Sequence, residues 1–254
     1  MSEIALPRRN FLGVTFTPLD LEDAVRRIVA RDPASPFAYV VTPNAQHVVA
    51  AYRGDTRFRQ GQAGAWMTLN DSRIVRLLSR RLFGVDLPLA VGSDLVARLF
   101  EVGITPDTPI VVIGGDARLE AQLRDRFGLR VIARHEPSFG FYRDEIEIEA
   151  CLDFIRTHPA RYIFLVVGAP QSEILARRLV GSPGLTGVAL CVGSALNFLT
   201  GRIHRAPRVV RIANLEWAYR LAQRPIGHFR RVFIESAPIL WIALREKAAS
   251  MRST

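Results

Sequence analysis

The sequence predicts an α/β protein: one domain around a mostly parallel sheet with helices on both faces, followed by a basic, helical C-terminal appendage. Three observations predict this. Runs such as Pro109–Ile113, Tyr162–Val167 and Gly187–Val192 are apolar throughout instead of alternating, as strands covered on both faces must be. Stretches with helical periodicity separate these runs. The charge is unevenly divided: of 34 basic and 24 acidic residues, residues 202–254 hold 11 and 3, a net of +8, and residues 1–201 a net of only +2.

The elements follow in order. Phe11–Phe16 reads as a strand. Leu19–Ala30 reads as a helix capped by Asp20, with Leu21, Ala24, Val25 and Ile28 on one face. Phe37–Val41 is a short strand that stops at Thr42-Pro43-Asn44, and Ala45–Arg53 is helical. Ala65–Leu69 is a weaker strand ending at Asn70-Asp71-Ser72. Ile74–Phe83 is an amphipathic helix with Arg76, Arg80 and Arg81 outward. Leu87–Val91 is an apolar stretch ending at Gly92, and Asp94–Phe100 is a helix. Pro109–Ile113 is a buried strand ended by Gly114-Gly115-Asp116. Leu119–Phe127 is a helix, Arg130–Ala133 a strand and Asp144–Thr157 a helix. Tyr162–Val167 is a strand ending at Gly168-Ala169-Pro170, and Glu173–Val180 a helix. Gly187–Val192 is the last strand, ending at Gly193-Ser194. Composition changes at Thr200–Pro207, which divides a body of residues 1–201 from an appendage of residues 202–254.

Hydrophobic residues at 49% and charged residues at 23% exclude a disordered chain. Cys151 and Cys191 lie in apolar surroundings and read as reduced core thiols. No apolar run reaches the ~18–20 residues of a spanning helix. The first ten residues lack the apolar stretch of a signal peptide, so a cytosolic protein is expected.

Ligands of open α/β sheets bind outside the carboxyl ends of the strands. The candidates there are Thr42, Asn44, Asp71, Ser72, Gly92, Ser93, Asp94, Gly114, Gly115, Asp116, Gly168, Pro170, Gln171, Gly193 and Ser194. Gly114-Gly115 lets backbone N–H groups approach a phosphate, or is simply a tight turn. It does not match the dinucleotide fingerprint, and Glu136, at the distance of a ribose-binding acid, follows no convincing strand. No Walker motif is present, which excludes a P-loop NTPase. Asp71 stands where a general base would, or caps the next helix. The five histidines have no metal-ligand spacing, and no Gly-x-Ser-x-Gly elbow exists. Arg202, Arg205, Arg208 and Arg211 recur every three residues, and Arg220, Arg224, Arg230 and Arg231 follow. Such a density calls for an anionic partner. From Phe229 onward Phe233, Trp241 and Leu244 are flanked by Arg230, Arg231, Arg245 and Lys247. That pattern suits a helix lying in a membrane interface, or one packed against the core or a second subunit.

The motifs Thr42-Pro43-Asn44-Ala45, Gly92-Ser93-Asp94-Leu95, Gly114-Gly115, Gly168-Ala169-Pro170-x-x-Glu173, Asn197-Phe198-Leu199-x-Gly201, Arg205-Ala206-Pro207 and Leu215-Glu216-Trp217-x-x-Arg220 occur in one order. In this order the chain resembles the WecG/TagA/CpsF family of bacterial glycosyltransferases, glycosyltransferase family 26. The resemblance implies a Rossmann-like domain whose appendage helps complete the active site and meets the membrane. It implies inverting transfer of a sugar from a UDP-sugar to a polyprenyl-diphosphate-linked sugar, in exopolysaccharide or cell-wall polymer synthesis. The enzyme would work from the cytoplasm on the anionic inner leaflet, with no cofactor, no metal and no nucleic-acid partner, as a monomer or homo-oligomer. Asp71 matches the family's base, with Thr42 and Asn44 orienting acceptor or sugar. With no DxD motif to hold a metal, guanidinium groups must neutralise the departing diphosphate. Arg220 is the first candidate, with Arg211 and Arg231 behind it, and Arg205, Glu173 and Asn197 complete the binding set. Three places depart from the family's usual residues: Asn70-Asp71-Ser72 stands for Pro-Asp-Gly, Gln171-Ser172-Glu173 for Lys-Gln-Glu, and Leu196-Asn197-Phe198 for Phe-Asp-Phe. The competing readings are a nucleotide-dependent oxidoreductase on the same fold, an inactive family member and a nucleic-acid binder.

Overall fold

A computed structural model of the chain describes residues 6–203 and 234–252. Its centre is a six-stranded, all-parallel sheet of order β4-β3-β8-β7-β5-β6. The strands are β3 (Ala38–Val41), β4 (Met67–Thr68), β5 (Ile110–Ile113), β6 (Ile132–His135), β7 (Tyr162–Leu165) and β8 (Val188–Cys191). Helices α1 (Leu21–Ala30), α2 (Ala45–Tyr52), α3 (Thr56–Gln62), α4 (Arg73–Phe83), α5 (Gly92–Val102), α6 (Ala117–Phe127), α7 (Glu145–Thr157), α8 (Gln171–Leu179) and α9 (Ala195–Leu199) surround it, and α10 (Pro238–Arg252) closes the described chain.

The uninterrupted apolar runs are explained by side-chain alternation between two cores. Val40, Ile110, Val112, Phe164 and Leu190 join one cluster with α1 and α5. Tyr39, Val111, Ile113, Ile163, Leu165 and Cys191 join another on the opposite face with α7 and α8. Both cysteines are free and buried there.

The helix starts follow capping chemistry. Asp20 accepts from the Asp23 N–H, Asp116 from Leu119 and Asp144 from Ile146. Each satisfies an orphan donor of the first turn.

Several elements differ from the sequence reading. Phe11–Phe16 is not one strand but a hairpin of β1 (Arg9–Phe11) and β2 (Val14–Phe16). Its two-residue turn puts Leu12 and Gly13 at φ of 50° and 80°, the sign that a type I′ turn requires at both positions. Leu87–Val91 forms only an isolated bridge, Leu89 with Asn70. β6 lies two residues later than Arg130–Ala133, so Glu136 does follow a strand directly. Helix α3 and the 3-10 turn Phe141–Arg143 carried no periodic apolar signal. At α3, Gly61 lets α8 approach: a Cβ there would stand 2.6 Å from the Cβ of Glu173.

The appendage is docked rather than free at its end. Helix α10 buries Ile239, Ile242 and Ala243 in a third cluster with Val48, Val49, Val75 and Leu78 of α2 and α4. The Tyr52 hydroxyl donates to Glu246 Oε1 at 2.6 Å. Its Leu240, Trp241 and Leu244 are exposed. No helix among the described residues is long and apolar enough to cross a membrane.

Because Ile242 is buried at this joint, Ile242→Ala should destabilise the protein by about 2–4 kcal/mol, the usual cost of a large-to-small change in a packed core. Denaturant unfolding with an unchanged m-value measures it. A loss below about 0.5 kcal/mol would mean that α10 does not share the cooperative core.

Candidate active site

Parallel pairing puts the carboxyl ends of β4, β3, β8 and β7 side by side. A cleft of about 1400 Å³ opens there. Its wall is made of the residues that follow those strands. Asp71 and Ser72 come after β4, Thr42 and Asn44 after β3, Gly193 and Ser194 after β8, and Gly168 and Ala169 after β7. Ser93 of α5 and Glu173 of α8 also line it. The C-terminal segment contributes Ser236, Ala237, Ile239 and Leu240.

Asp71 follows a turn held by hydrogen bonds. Asn70 Oδ1 accepts from the Ser72 N–H at 2.9 Å, and Asn70 Nδ2 donates to the Leu87 carbonyl at 3.0 Å. The cap of α4 is Ser72, whose Oγ accepts from the Val75 N–H. Helix capping therefore does not account for the Asp71 carboxylate, which lies half-buried in the cleft wall.

Thr42 is buried, and its hydroxyl donates to the Cys191 carbonyl at 3.3 Å. Gly92 makes room for it: a Cβ there would stand 2.9 Å from Thr42 Oγ1. Asn44 caps α2, its Oδ1 accepting from the N–H groups of Gln46 and His47. The cap uses only the oxygen, so the Asn44 amide NH2 remains for a ligand.

Glu173 is the most unusual group of the wall. It is 7% exposed, and its Oε2 is buried with no hydrogen-bond partner among the described residues. Burial pushes its carboxyl up from 4.5 to about 7. The neighbouring Tyr39 hydroxyl and Cys191 thiol are also pushed up, by burial first, with the Glu173 charge a lesser cause. Desolvation favours the neutral form of each of these groups.

Other candidates lie elsewhere. Gly114 and Gly115 are not in the cleft lining. Their φ values are 95° and 71°, and a Cβ would meet Val167 at 2.9 Å or Leu119 at 2.5 Å, so local packing already requires glycine. Asp94, Pro170, Gln171 and Asn197 are also absent from the lining. The Gln171 amide is directed at the preceding turn, where its NH2 has the carbonyls of Gly168 and Ala169 within 3.3 and 3.0 Å in the orientation that satisfies both ends of the amide. Ser172 donates to the Leu165 carbonyl at 3.1 Å. Arg202 forms a two-pronged ion pair with Asp116 at 2.6 and 2.7 Å, which holds that carboxyl down at about 2. Arg205, Arg211, Arg220 and Arg231 lie outside the described residues, as do Arg208 and Phe233.

The sequence reading missed four cleft residues. Arg73, Arg76, Arg80 and Arg81 of α4 line the cleft mouth beside Asp71. The outward direction of Arg76, Arg80 and Arg81 was legible. That outward meant toward the cleft was not, because this depends on where β4 sits in the strand order. No group of three or more His, Cys, Asp or Glu side chains able to hold a metal occurs among the described residues.

Glu173 generates a pH prediction. Between 4.5 and about 7 the folded protein binds more proton at this site than the unfolded chain. Its contribution is therefore fully present below pH 4.5 and lost as the pH rises toward 7. Glu173→Gln should remove that loss. The variant should melt higher than wild type at pH 8, by up to roughly 3 kcal/mol, and about equally at pH 4. The same difference at both pH values would show that the Glu173 proton is not involved.

The cleft thus joins carboxylates, hydroxyls and amides at strand ends with a cationic border, a set suited to a sugar and its phosphates. Residues 9–253, nearly the whole chain, match the glycosyl transferase WecG/TagA/CpsF family. The chain belongs to this family of glycosyltransferases.

Proposed function

We propose that this protein transfers a sugar, with inversion, from a UDP-sugar to a sugar linked to polyprenyl diphosphate, in the synthesis of an exopolysaccharide or cell-wall polymer. The observation that carries the reading is Asp71: a carboxylate in the wall of the cleft, at a strand end, with the capping of α4 assigned to Ser72.

In this reading Asp71 accepts the proton of the acceptor hydroxyl. The freed oxygen attacks the anomeric carbon from the face opposite the nucleotide. The bond from that carbon to the UDP oxygen breaks, and UDP leaves with the electron pair. A positioned base contributes roughly 10²–10⁴ in rate. The Asn44 amide orients a sugar oxygen, and the Thr42 hydroxyl, held by its bond to Cys191, is a second polar contact. Gly168, with φ of 85° and nothing within 4 Å of a Cβ position, allows a ligand to approach the backbone. Charge on the departing diphosphate is met by guanidinium groups, with Arg220 first and Arg211 and Arg231 behind it.

The acceptor's lipid tail stays in the bilayer, so the enzyme works at the inner membrane face. Trp241 and Leu244, exposed on α10 and outside the cleft lining, support this. Arg245 lies beside them, its guanidinium 5.4 Å from the centre of the Trp241 ring. Trp241→Ser with Leu244→Ser should therefore weaken binding to vesicles of anionic lipid at least fivefold without loss of fold. Unchanged vesicle binding would remove α10 from the membrane contact.

Asp71→Asn tests the chemistry. The amide matches the carboxylate in shape but cannot take the proton. Turnover should fall at least a hundredfold, with UDP binding and melting temperature retained. Turnover within about threefold of wild type would exclude Asp71 as the base.

A further inference from the structure

The arginines of α4 are not used by the mechanism above. Helix α4 has the sequence Arg-Ile-Val-Arg-Leu-Leu-Ser-Arg-Arg-Leu-Phe: four cations and no acid in eleven residues. Val75, Leu78 and Ser79 are buried against the body. Arg73, Arg76, Leu77 and Arg80, spaced three and four apart, run along the opposite side, and all four line the cleft mouth with Arg81. Arg76 pairs with Asp86 at 3.3 Å, and it alone of the four arginines has an acidic partner among the described residues.

A solvated helix face accounts poorly for this arrangement. Such faces intersperse acids with bases, and Arg73 and Arg76 stand in the first turn, where the helix dipole disfavours cations. The apolar neighbours are equally out of place. Leu77 is 52% exposed between the arginines, and Leu240 of α10, 46% exposed, lines the same cleft. A row of guanidinium groups with exposed leucines beside it matches an amphiphile whose charged head adjoins a hydrocarbon chain. Guanidinium forks pair with phosphate oxygens in a two-pronged way.

We propose that the α4 face is the binding site for the diphosphate of the lipid acceptor. Arg73, Arg76 and Arg80 hold the two phosphates, Arg81 adds to the field, and Leu77 with Leu240 covers the first carbons of the prenyl chain. This rests on the acceptor class proposed above. It gives the acceptor diphosphate cations of its own, other than Arg220, Arg211 and Arg231, which the proposed mechanism gives to the donor. It also sets a direction: with the lipid head beside the N-terminus of α4, the attached sugar reaches Asp71, which stands two residues before Arg73.

Titration of the full-length protein with farnesyl diphosphate, inorganic pyrophosphate, farnesol and UDP tests the site. Wild type should bind farnesyl diphosphate at least tenfold more tightly than pyrophosphate or farnesol. Arg73→Ala with Arg80→Ala should weaken farnesyl diphosphate at least tenfold and leave UDP within twofold. Leu77→Ser should bring farnesyl diphosphate close to the level of pyrophosphate. These side chains are exposed, and removing Arg73 relieves a cation at a helix N-terminus, so the variants should melt like wild type. Equal loss of UDP binding would assign α4 to the donor, and unchanged farnesyl diphosphate binding, or none by wild type, would overturn the site. Transfer assays on the same preparations separate the two readings. Transfer to a lipid-linked acceptor that is insensitive to the α4 variants sinks the site and leaves the reaction. Arginine-dependent binding of farnesyl diphosphate, with no transfer to such an acceptor, sinks the reaction and leaves the site.

Discussion

Parallel pairing of β4, β3, β8 and β7 is the constraint on which the rest depends. Strands that run the same way end on the same edge, and their connections must cross a face of the sheet to return. Helices therefore cover both faces, both faces must be apolar, and the inner strands β3, β8, β7 and β5 carry an apolar or aromatic side chain at each position. The polar residues that the sheet cannot accept collect where the strands stop. Thr42 with Asn44, Asp71, Gly168 and Ser194 are brought together although they are spread over more than 150 positions of sequence. The cleft is the consequence of topology before it is a matter of particular side chains.

Within that cleft, local rules are broken in one place. Glu173 is buried with no partner for Oε2 among the described residues, and Gly61 is needed to admit its Cβ. Arg73 and Arg76 are set against the positive end of α4. Leu77 is exposed in the middle of a row of cations. Each is unfavourable for the folded state alone. Their grouping around one opening is what a ligand-binding surface produces, since groups that a ligand will satisfy have to be left unsatisfied without it. Two buried atoms away from the cleft, Gln122 Oε1 and Arg134 Nε, also have no hydrogen-bond partner among the described residues, so it is the grouping at the cleft, and not a lone unsatisfied atom, that points to a ligand.

Most of the fold was legible because parallel strands give the strongest local signal, an apolar run bounded by Gly, Pro or Asn. Those at Ile110–Ile113, Tyr162–Leu165 and Val188–Cys191 could be read directly. The two-residue β4 and the hairpin at Leu12-Gly13 were less so, since a strand that short carries no period and the turn places a leucine at positive φ. Helix α3, Arg-Phe-Arg-Gln-Gly-Gln after Thr56, has one buried aromatic and a glycine, and only its packing on α8 explains it. Of the cleft lining, Asp71, Thr42, Asn44 and Glu173 had been singled out from strand ends and family motifs. Of the arginines of α4, Arg76, Arg80 and Arg81 were read only as pointing outward, and Arg73 lay before the helix as read. Periodicity says which side of a helix is polar, and only tertiary structure says what that side looks onto.

The Asn70-Asp71-Ser72 turn shows how a departure from a family's usual residues can keep the feature that matters. Pro-Asp-Gly limits the backbone before the Asp through the proline ring and loosens it afterward through glycine. Here Asn70 limits the same place through hydrogen bonds, one to the Ser72 N–H and one to the Leu87 carbonyl. The second ties the turn to the neighbouring segment, whose Leu89 bridges to Asn70. Ser72 then takes the cap of α4, a task that Gly performs less well and that Asp71 would otherwise be drawn into. Both replacements act in the same direction: they fix the backbone around Asp71 and assign the nearby hydrogen-bonding duties to other side chains. Asp71 is thus held between two fixed neighbours, with the turn bonded by Asn70 and the helix capped by Ser72.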